Sequence, residues 1–287
     1  MKKGNRLTLC YPLYREVWLN FVSSLVYTCS SLNEGFFMTS RLDETLDDLT
    51  IGGLKIIQAK NGYRFSLDPV LLNGFISGIR NCSVLDLGTG NGIIPLLLSA
   101  RKKALSITGV EVQPEMAERA GRTIQMNGLQ ASVTIVQGDI RGLPCDGLEA
   151  AAFDVVTANP PYRETGTGRV AVDDERGMAR HELAGGLDAF LRAAGAMLKS
   201  GGNFYVVYLA ERLAELLTGM ASFNLEPKRL RFVHPRVGQP ARLVLVQGRK
   251  KGRPGMKVEP PLVVYQGEGR DYTEEVLTMY GLGGGKG

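Results

Sequence analysis

Residues Val84 to Leu98 read Val-Leu-Asp-Leu-Gly-Thr-Gly-Asn-Gly-Ile-Ile-Pro-Leu-Leu-Leu: an apolar run of strand length, a glycine turn, and an apolar run that opens a helix. Apolar residues before the glycines suit a strand buried on both faces, and those after them suit a helix packed on it. Strand, glycine loop and helix in that order form the first unit of a nucleotide-binding α/β sheet. Gly88, Gly90 and Gly92 let the backbone approach a ligand closely and take dihedrals closed to other residues. Such a loop alone serves several cofactors, so its flanking residues must decide.

A dinucleotide fingerprint needs glycine or alanine at the third position of G-x-G-x-x-G, and counted from Gly88 and Gly90 that position is Ile93. NAD is thereby disfavoured. A phosphate-binding P-loop needs Gly-Lys-Ser/Thr, whereas Gly92 is followed by Ile93 and Ile94, which excludes ATP in that mode. Asp86 points the other way. A carboxylate beside the loop repels a pyrophosphate but suits a ligand carrying an ammonium and a sulfonium, and S-adenosylmethionine is such a ligand. Thr89 and Asn91 complete the loop's candidate contacts.

About 25 residues on, the apolar strand Ile107 to Val110 ends in Glu111, an acid placed to accept both ribose hydroxyls of a nucleoside. Asp139 follows the strand Val133 to Val136 and is placed to accept from an adenine amino group. Val112 and Ile140, which directly follow these acids, join them as candidate cofactor contacts. Each acid alone also reads as a solvated strand end; three at successive strand ends argue for one ligand.

Phe153 to Tyr162 is an apolar strand running into Asn159-Pro160-Pro161-Tyr162. The two prolines supply no N–H groups and enforce extended backbone, so the turn presents acceptors without competing donors. A planar NH2 group needs acceptors of that kind. The Asn159 side-chain oxygen and the Pro160 carbonyl can take its two hydrogens and favour a more pyramidal, more nucleophilic nitrogen, while Tyr162 can stack on the planar substrate. No strong general base is then required, because the methylated cation sheds its proton readily. Asn-Pro-Pro also serves as an ordinary strand-ending turn, and its position after the glycine loop and the acidic strand ends favours the catalytic reading.

The series Asp86 to Gly92, Glu111, Asp139 and Asn159 to Tyr162 resembles the class I S-adenosylmethionine-dependent methyltransferases, in the subset that methylates amino nitrogens. Gly62-Tyr-Arg-Phe-Ser-Leu-Asp68 and Phe232-Val-His-Pro-Arg236 bring it closer to the bacterial tRNA1(Val) adenine-37 N6-methyltransferase family, over roughly Leu42 to Tyr265. The resemblance implies a Rossmann-like α/β fold: a seven-stranded, mostly parallel sheet closed by an antiparallel hairpin. It also implies that Phe65, Ser66 and Asp68 cover the cofactor, although capping and packing explain them equally well.

The remaining sequence fits one α/β domain over 38–266, an N-terminal extension of uncertain status over 1–37, and a tail over 267–287. The first 37 residues carry Lys2, Lys3 and Arg6 before an apolar run that mimics a signal peptide, but Arg15, Glu16 and Asn20 interrupt it. Because the resemblance begins near Met38, the extension reads as an upstream start, a family-atypical addition or an ordinary leading helix. Leu54–Ala59 and Tyr63–Ser66 are expected to pair as a hairpin around Asn61-Gly62, followed by a helix from Asp68-Pro69 to about Ile79. Residues 163–186 read as a loop over the site, with Arg163, Arg169, Arg176 and Arg180 among balancing acids. His181 reads as structural or as a substrate contact.

The net charge of +5, with nine Lys and Arg between Lys228 and Arg253, favours a polyanionic partner, although basic residues also protect sheet edges. Cys10, Cys29, Cys82 and Cys145 are scattered and read as reduced cytoplasmic thiols; with only two histidines, no metal site and no membrane span are expected. The expected activity is methylation of adenine N6 in a tRNA. Three alternatives stay open at this point: methylation of a release-factor glutamine amide, methylation of a DNA or ribosomal-RNA base, and a non-catalytic cofactor- or RNA-binding module.

Overall fold

The computed structural model describes residues 41–61, 66–101, 105–162 and 186–282. The N-terminal extension, Phe65, the loop over 163–185 with its arginines and His181, and the last five residues lie outside them.

Seven strands form the main sheet: β3 (Ser83–Leu87), β4 (Ser106–Glu111), β5 (Val133–Gln137), β6 (Phe153–Ala158), β7 (Leu198–Leu209), β8 (Leu225–His234) and β9 (Leu243–Lys250). Their order is β5-β4-β3-β6-β7-β9-β8, parallel from β5 to β7 and antiparallel where β9 inserts between β7 and β8. This is the sheet expected from the sequence, extended at its β8 edge by the two-residue strands β10 (Lys257–Val258) and β11 (Leu262–Val263). The strand order reverses between β3 and β6, so a crevice opens at their carboxyl ends.

Alternation along each central strand sends side chains to two cores. Val84, Ile107, Val155 and Tyr205 face one, with the helices α1 (Asp68–Phe75) and α2 (Ile93–Ser99). Leu85, Leu87, Val156 and Phe204 face the other, with α4 (Gly186–Met197) and α5 (Leu213–Ser222). The helix α2 is apolar on every side because it lies wholly inside, and truncating one of its buried leucines such as Leu97 to alanine costs about 2–5 kcal/mol. Asp86 and Thr157 alternate with these apolar residues and are therefore buried by the strands that carry them.

Of two local expectations, one falls largely outside the described residues and one is corrected. Lys55–Ala59 forms a strand, β2, that pairs antiparallel with the preceding β1 (Glu44–Asp48), through a turn in which Thr50, Gly52 and Gly53 take positive φ; its expected hairpin partner Tyr63–Ser66 lies, save for Ser66, outside the described residues. Helix α3 (Pro114–Met126) fastens this hairpin to the sheet's flank. The Asn127 side chain accepts from Lys55 N at 3.0 Å and donates to its carbonyl at 2.7 Å, as a neighbouring strand would. Glu44 on β1 accepts from Arg119 at 3.0 Å and from Arg122 at 2.5 Å, and the Arg122 hydrogen bond is the main reason its carboxyl sits at about 2. The helix expected to run to Ile79 stops at Phe75, because Ile76 turns extended.

The stretch read as a tail is folded at its start. Helix α6 (Glu274–Met279) is capped by the Thr273 hydroxyl, buries Val276 completely, and is held by Arg231 to Glu275.

Candidate active site

The glycine loop leaves β3 at Leu87 and enters α2 at Ile93. Gly88, Gly90 and Gly92 have φ of +64°, +58° and +80°, so each glycine occupies backbone space that a side chain would strain. The loop is fastened to β4: Thr89 N donates to the Val110 carbonyl at 2.9 Å, and Gly90 N donates to Glu111 Oε2 at 2.8 Å. Glu111 Oε1 accepts from Gln113 N at 2.9 Å. Gly109, midway along β4, is what admits this contact, since a Cβ there would lie 2.8 Å from Thr89 Oγ1.

Asp86 lies at the floor of the loop, fully buried between β4 and β6. Thr157 donates to its Oδ1 at 2.6 Å. Burial pushes its carboxyl up to about 7, against the Thr157 hydroxyl and, more weakly, the nearby Thr89 hydroxyl. Asp86 Oδ2, Thr89 Oγ1 and Asn91 Oδ1 are buried without a hydrogen-bond partner among the described residues. Three orphaned oxygens, one at the end of β3 and two in the loop that follows, are costly in the protein alone, and a cationic ligand bringing N–H donors relieves that cost. The residues present thus fit S-adenosylmethionine, with Glu111 at the next strand end and half-buried Val112 and buried Ile140 beside it.

Asp139 differs from expectation. Burial works against its charge, but Arg141 holds the carboxyl below the usual range, its Nη2 donating to Oδ2 at 2.6 Å and its Nε at 2.8 Å. Asp139 also caps the 3-10 turn Ile140–Gly142 through Arg141 N. An adenine amino group has to share this carboxylate with Arg141.

Asn159 to Tyr162 follows β6 at the same edge of the sheet. The Tyr162 hydroxyl lies 2.8 Å from Asn159 Oδ1 and 2.7 Å from Asp68 Oδ2, at the start of α1. Its ring packs edge-on against Tyr208 of β7, centroids 6.0 Å apart. Arg212 lies over the Tyr208 ring, pairs with Glu215 and donates to the Tyr162 carbonyl at 3.1 Å. Tyr208 and Arg212 were not singled out from sequence. Tyr208 has the signal of an aromatic at a strand end, whereas nothing in the sequence ties Arg212 to the turn. Ser66 is exposed and its hydroxyl accepts from Asp68 N at 3.3 Å, so of the three residues expected over the cofactor, Asp68 joins the turn.

The C-terminal basic residues also separate once their partners are known. Arg236 donates to the carbonyls of Gly267, Glu268 and Gly269, and Arg229 pairs with Glu259 at 2.7 Å. Both hold the chain end in place. Arg242 is exposed with no side-chain partner among the described residues, where no group of His, Cys, Asp and Glu is arranged to hold a metal and no helix is long and apolar enough to cross a membrane.

The profile of a family described as a methyltransferase domain matches residues 79–239. The tRNA1(Val) (adenine(37)-N6)-methyltransferase of Porphyromonas gingivalis strain W83 is 31% identical over 172 residues, 58% of this chain and 67% of that protein. The enzyme of the same name from Haemophilus influenzae strain PittEE is 26% identical over 237 residues, 82% of this chain and 97% of that one. Among solved structures, an Agrobacterium tumefaciens protein described as a predicted O-methyltransferase superposes with a TM-score of 0.61 at 24% identity, covering 75% of this chain and 95% of its own, a likeness of fold. The chain belongs to the methyltransferase-domain family, uses S-adenosylmethionine, and is a relative of the tRNA1(Val) (adenine(37)-N6)-methyltransferases.

Proposed function

We propose that the chain methylates N6 of an adenine in a tRNA. The observation that carries this reading is the Asn159 to Tyr162 turn, set at the end of β6 beside the loop with the orphaned acceptors. Bound S-adenosylmethionine supplies an electrophilic methyl group on its sulfonium. Asp86, the loop from Gly88 to Gly92 and Glu111 hold that ligand, with Val112 and Ile140 as its apolar contacts. Asn159 Oδ1 and the Pro160 carbonyl accept the two N6 hydrogens and favour a pyramidal nitrogen whose lone pair is less delocalised into the ring. An O-methyltransferase needs a base for a hydroxyl proton; the Pro160-Pro161 turn offers acceptors instead.

A nucleic-acid substrate is supported by a groove of about 720 Å³ at the same sheet edge, lined by Ala210, Glu211, Phe232, Gln239, Pro240 and Arg242. Arg212 follows this lining and touches the turn, so groove and turn adjoin. Half-buried Phe232 offers a face for a base, Glu211 an acceptor, and Arg242 a cation for a phosphate. The kinship with named tRNA methyltransferases favours tRNA over a release factor, and that substrate supports a cytoplasmic location. The test is to supply labelled S-adenosylmethionine with unmodified tRNA, ribosomal RNA, duplex DNA and release factors. Label in N6-methyladenosine of the tRNA supports the reading, and label in release-factor glutamine with inert tRNA replaces it.

A further inference from the structure

The Tyr162 hydroxyl has one proton and, among the described residues, lies within hydrogen-bond distance of two acceptors, Asp68 Oδ2 at 2.7 Å and Asn159 Oδ1 at 2.8 Å. A phenol cannot donate fully to both. The carboxylate is charged and the amide neutral, so the proton belongs on the Asp68 side, where the hydrogen bond is charge-assisted. Asn159 Oδ1 then faces a phenol oxygen without a proton between them, which is repulsive at that distance. The two ends of an amide have nearly the same shape, and a half-turn about χ2 removes the conflict: Nδ2–H donates to the phenol oxygen, and Oδ1 swings to the other side.

We infer that Asp68 is a positioning residue that fixes the orientation of the catalytic amide through Tyr162. The inference rests on the amino-methylation reading. The relay runs from Asn159 Nδ2–H to the Tyr162 oxygen, and from the Tyr162 hydroxyl to the Asp68 carboxylate. It leaves Asn159 Oδ1 free to accept from the substrate amino group. Without the carboxylate, Tyr162 donates to Asn159 Oδ1, and the amide turns its own NH2 towards a substrate that also presents NH2. Asp68 is well placed to hold this end of the relay. It lies in the first turn of α1, whose buried face (Val70, Leu71, Leu72 and Phe75) anchors the helix to the sheet, and the Ser66 hydroxyl accepts from its backbone N–H. This assigns Asp68 to the substrate side of the site, in place of the cofactor contact read from the sequence.

The test compares Asp68→Ala in two backgrounds. In the parent enzyme it should lower kcat about tenfold or more and leave the Kd of S-adenosylmethionine within about twofold. In Tyr162→Phe, which has no hydroxyl proton to misplace, Asp68→Ala should change kcat by less than about twofold. Asp68→Asn keeps an acceptor but loses its charge, so its loss should be intermediate, and the pair Asp68→Asn with and without Tyr162→Phe gives the same comparison if alanine unfolds α1. Equal losses in both backgrounds, an unchanged kcat, or a loss confined to cofactor affinity would each overturn the relay. These ratios are taken within active enzyme, so they remain distinct from failure of the underlying reading, which would appear as no transfer to any adenine amino group by the parent.

Discussion

Replacing Asp86 by asparagine keeps its shape and removes a charge that the unliganded protein holds at a disadvantage. Burial has moved the carboxyl from an ordinary 3.8 up to about 7, with Oδ2 unpaired. A sulfonium and an ammonium brought into the site favour the charged form, so binding at slightly acid pH expels a proton. If only the charged form binds, the apparent Kd rises by the factor 1 + 10^(pKa − pH), so affinity falls about tenfold, or ~1.4 kcal/mol, from pH 8 to pH 6. Calorimetry near pH 6.5 in two buffers of unlike ionisation enthalpy counts the proton. The ligand's own α-amino group stays mostly protonated there and adds little. The parent should release between about half and one proton per ligand, and Asp86→Asn should bind more weakly and release none. The same group also predicts a stability profile. Its folded pKa lies above the unfolded value, so between about pH 4 and pH 7 the native state holds more protons, and stability declines as pH rises by at most ~4 kcal/mol. Equal proton counts in parent and variant, with affinity flat from pH 6 to pH 8, would refute the reasoning.

Glu44→Ala should cost about 3–5 kcal/mol in denaturant unfolding, because it leaves Arg119 and Arg122 largely buried against α3 without their carboxylate. Glu44 has a lowered folded pKa, so its contribution is present above its ordinary value of 4.5 and disappears as pH falls towards about 2; acid unfolding should separate parent from variant at neutral pH and bring them together in strong acid. Arg242→Ala should weaken tRNA binding and reduce the slope of log affinity against log salt by about one, whereas Arg236→Ala should leave that slope unchanged and lower the melting temperature, since it frees the carbonyls at 267–269.

The parts of the site legible in the sequence are those set by short-range pattern. Val84 to Leu98 carries strand, turn and helix within one window, and Glu111 and Asn159 end apolar strands whose parallel order places them at one edge. Pairings across long separations were not legible. The pairing of Lys55–Ala59 with Glu44–Asp48 carried no signal in the sequence and is held by contacts with Asn127 and by the Glu44 ion pairs on α3. The role of an arginine depends on what surrounds it in space: Arg236 and Arg242 look alike in sequence, yet one is fully engaged by carbonyls and the other stands exposed. Gly109 reads as a weak point in a strand until Thr89 is seen against it. Asp68 lies 94 residues from Tyr162, beyond any spacing argument.

The central claim is that the Asn159 amide acts on the nucleophile as charge develops, and single-turnover transfer measures that step alone. Enzyme preloaded with labelled S-adenosylmethionine is mixed with unmodified tRNA, and N6-methyladenosine is followed for the parent and for Asn159→Ala. The account predicts a rate lowered by about 100-fold or more, with cofactor affinity within about twofold of the parent. A rate within a few-fold of the parent, with N6-methyladenosine still the product, would contradict it and move the chemistry away from Asn159.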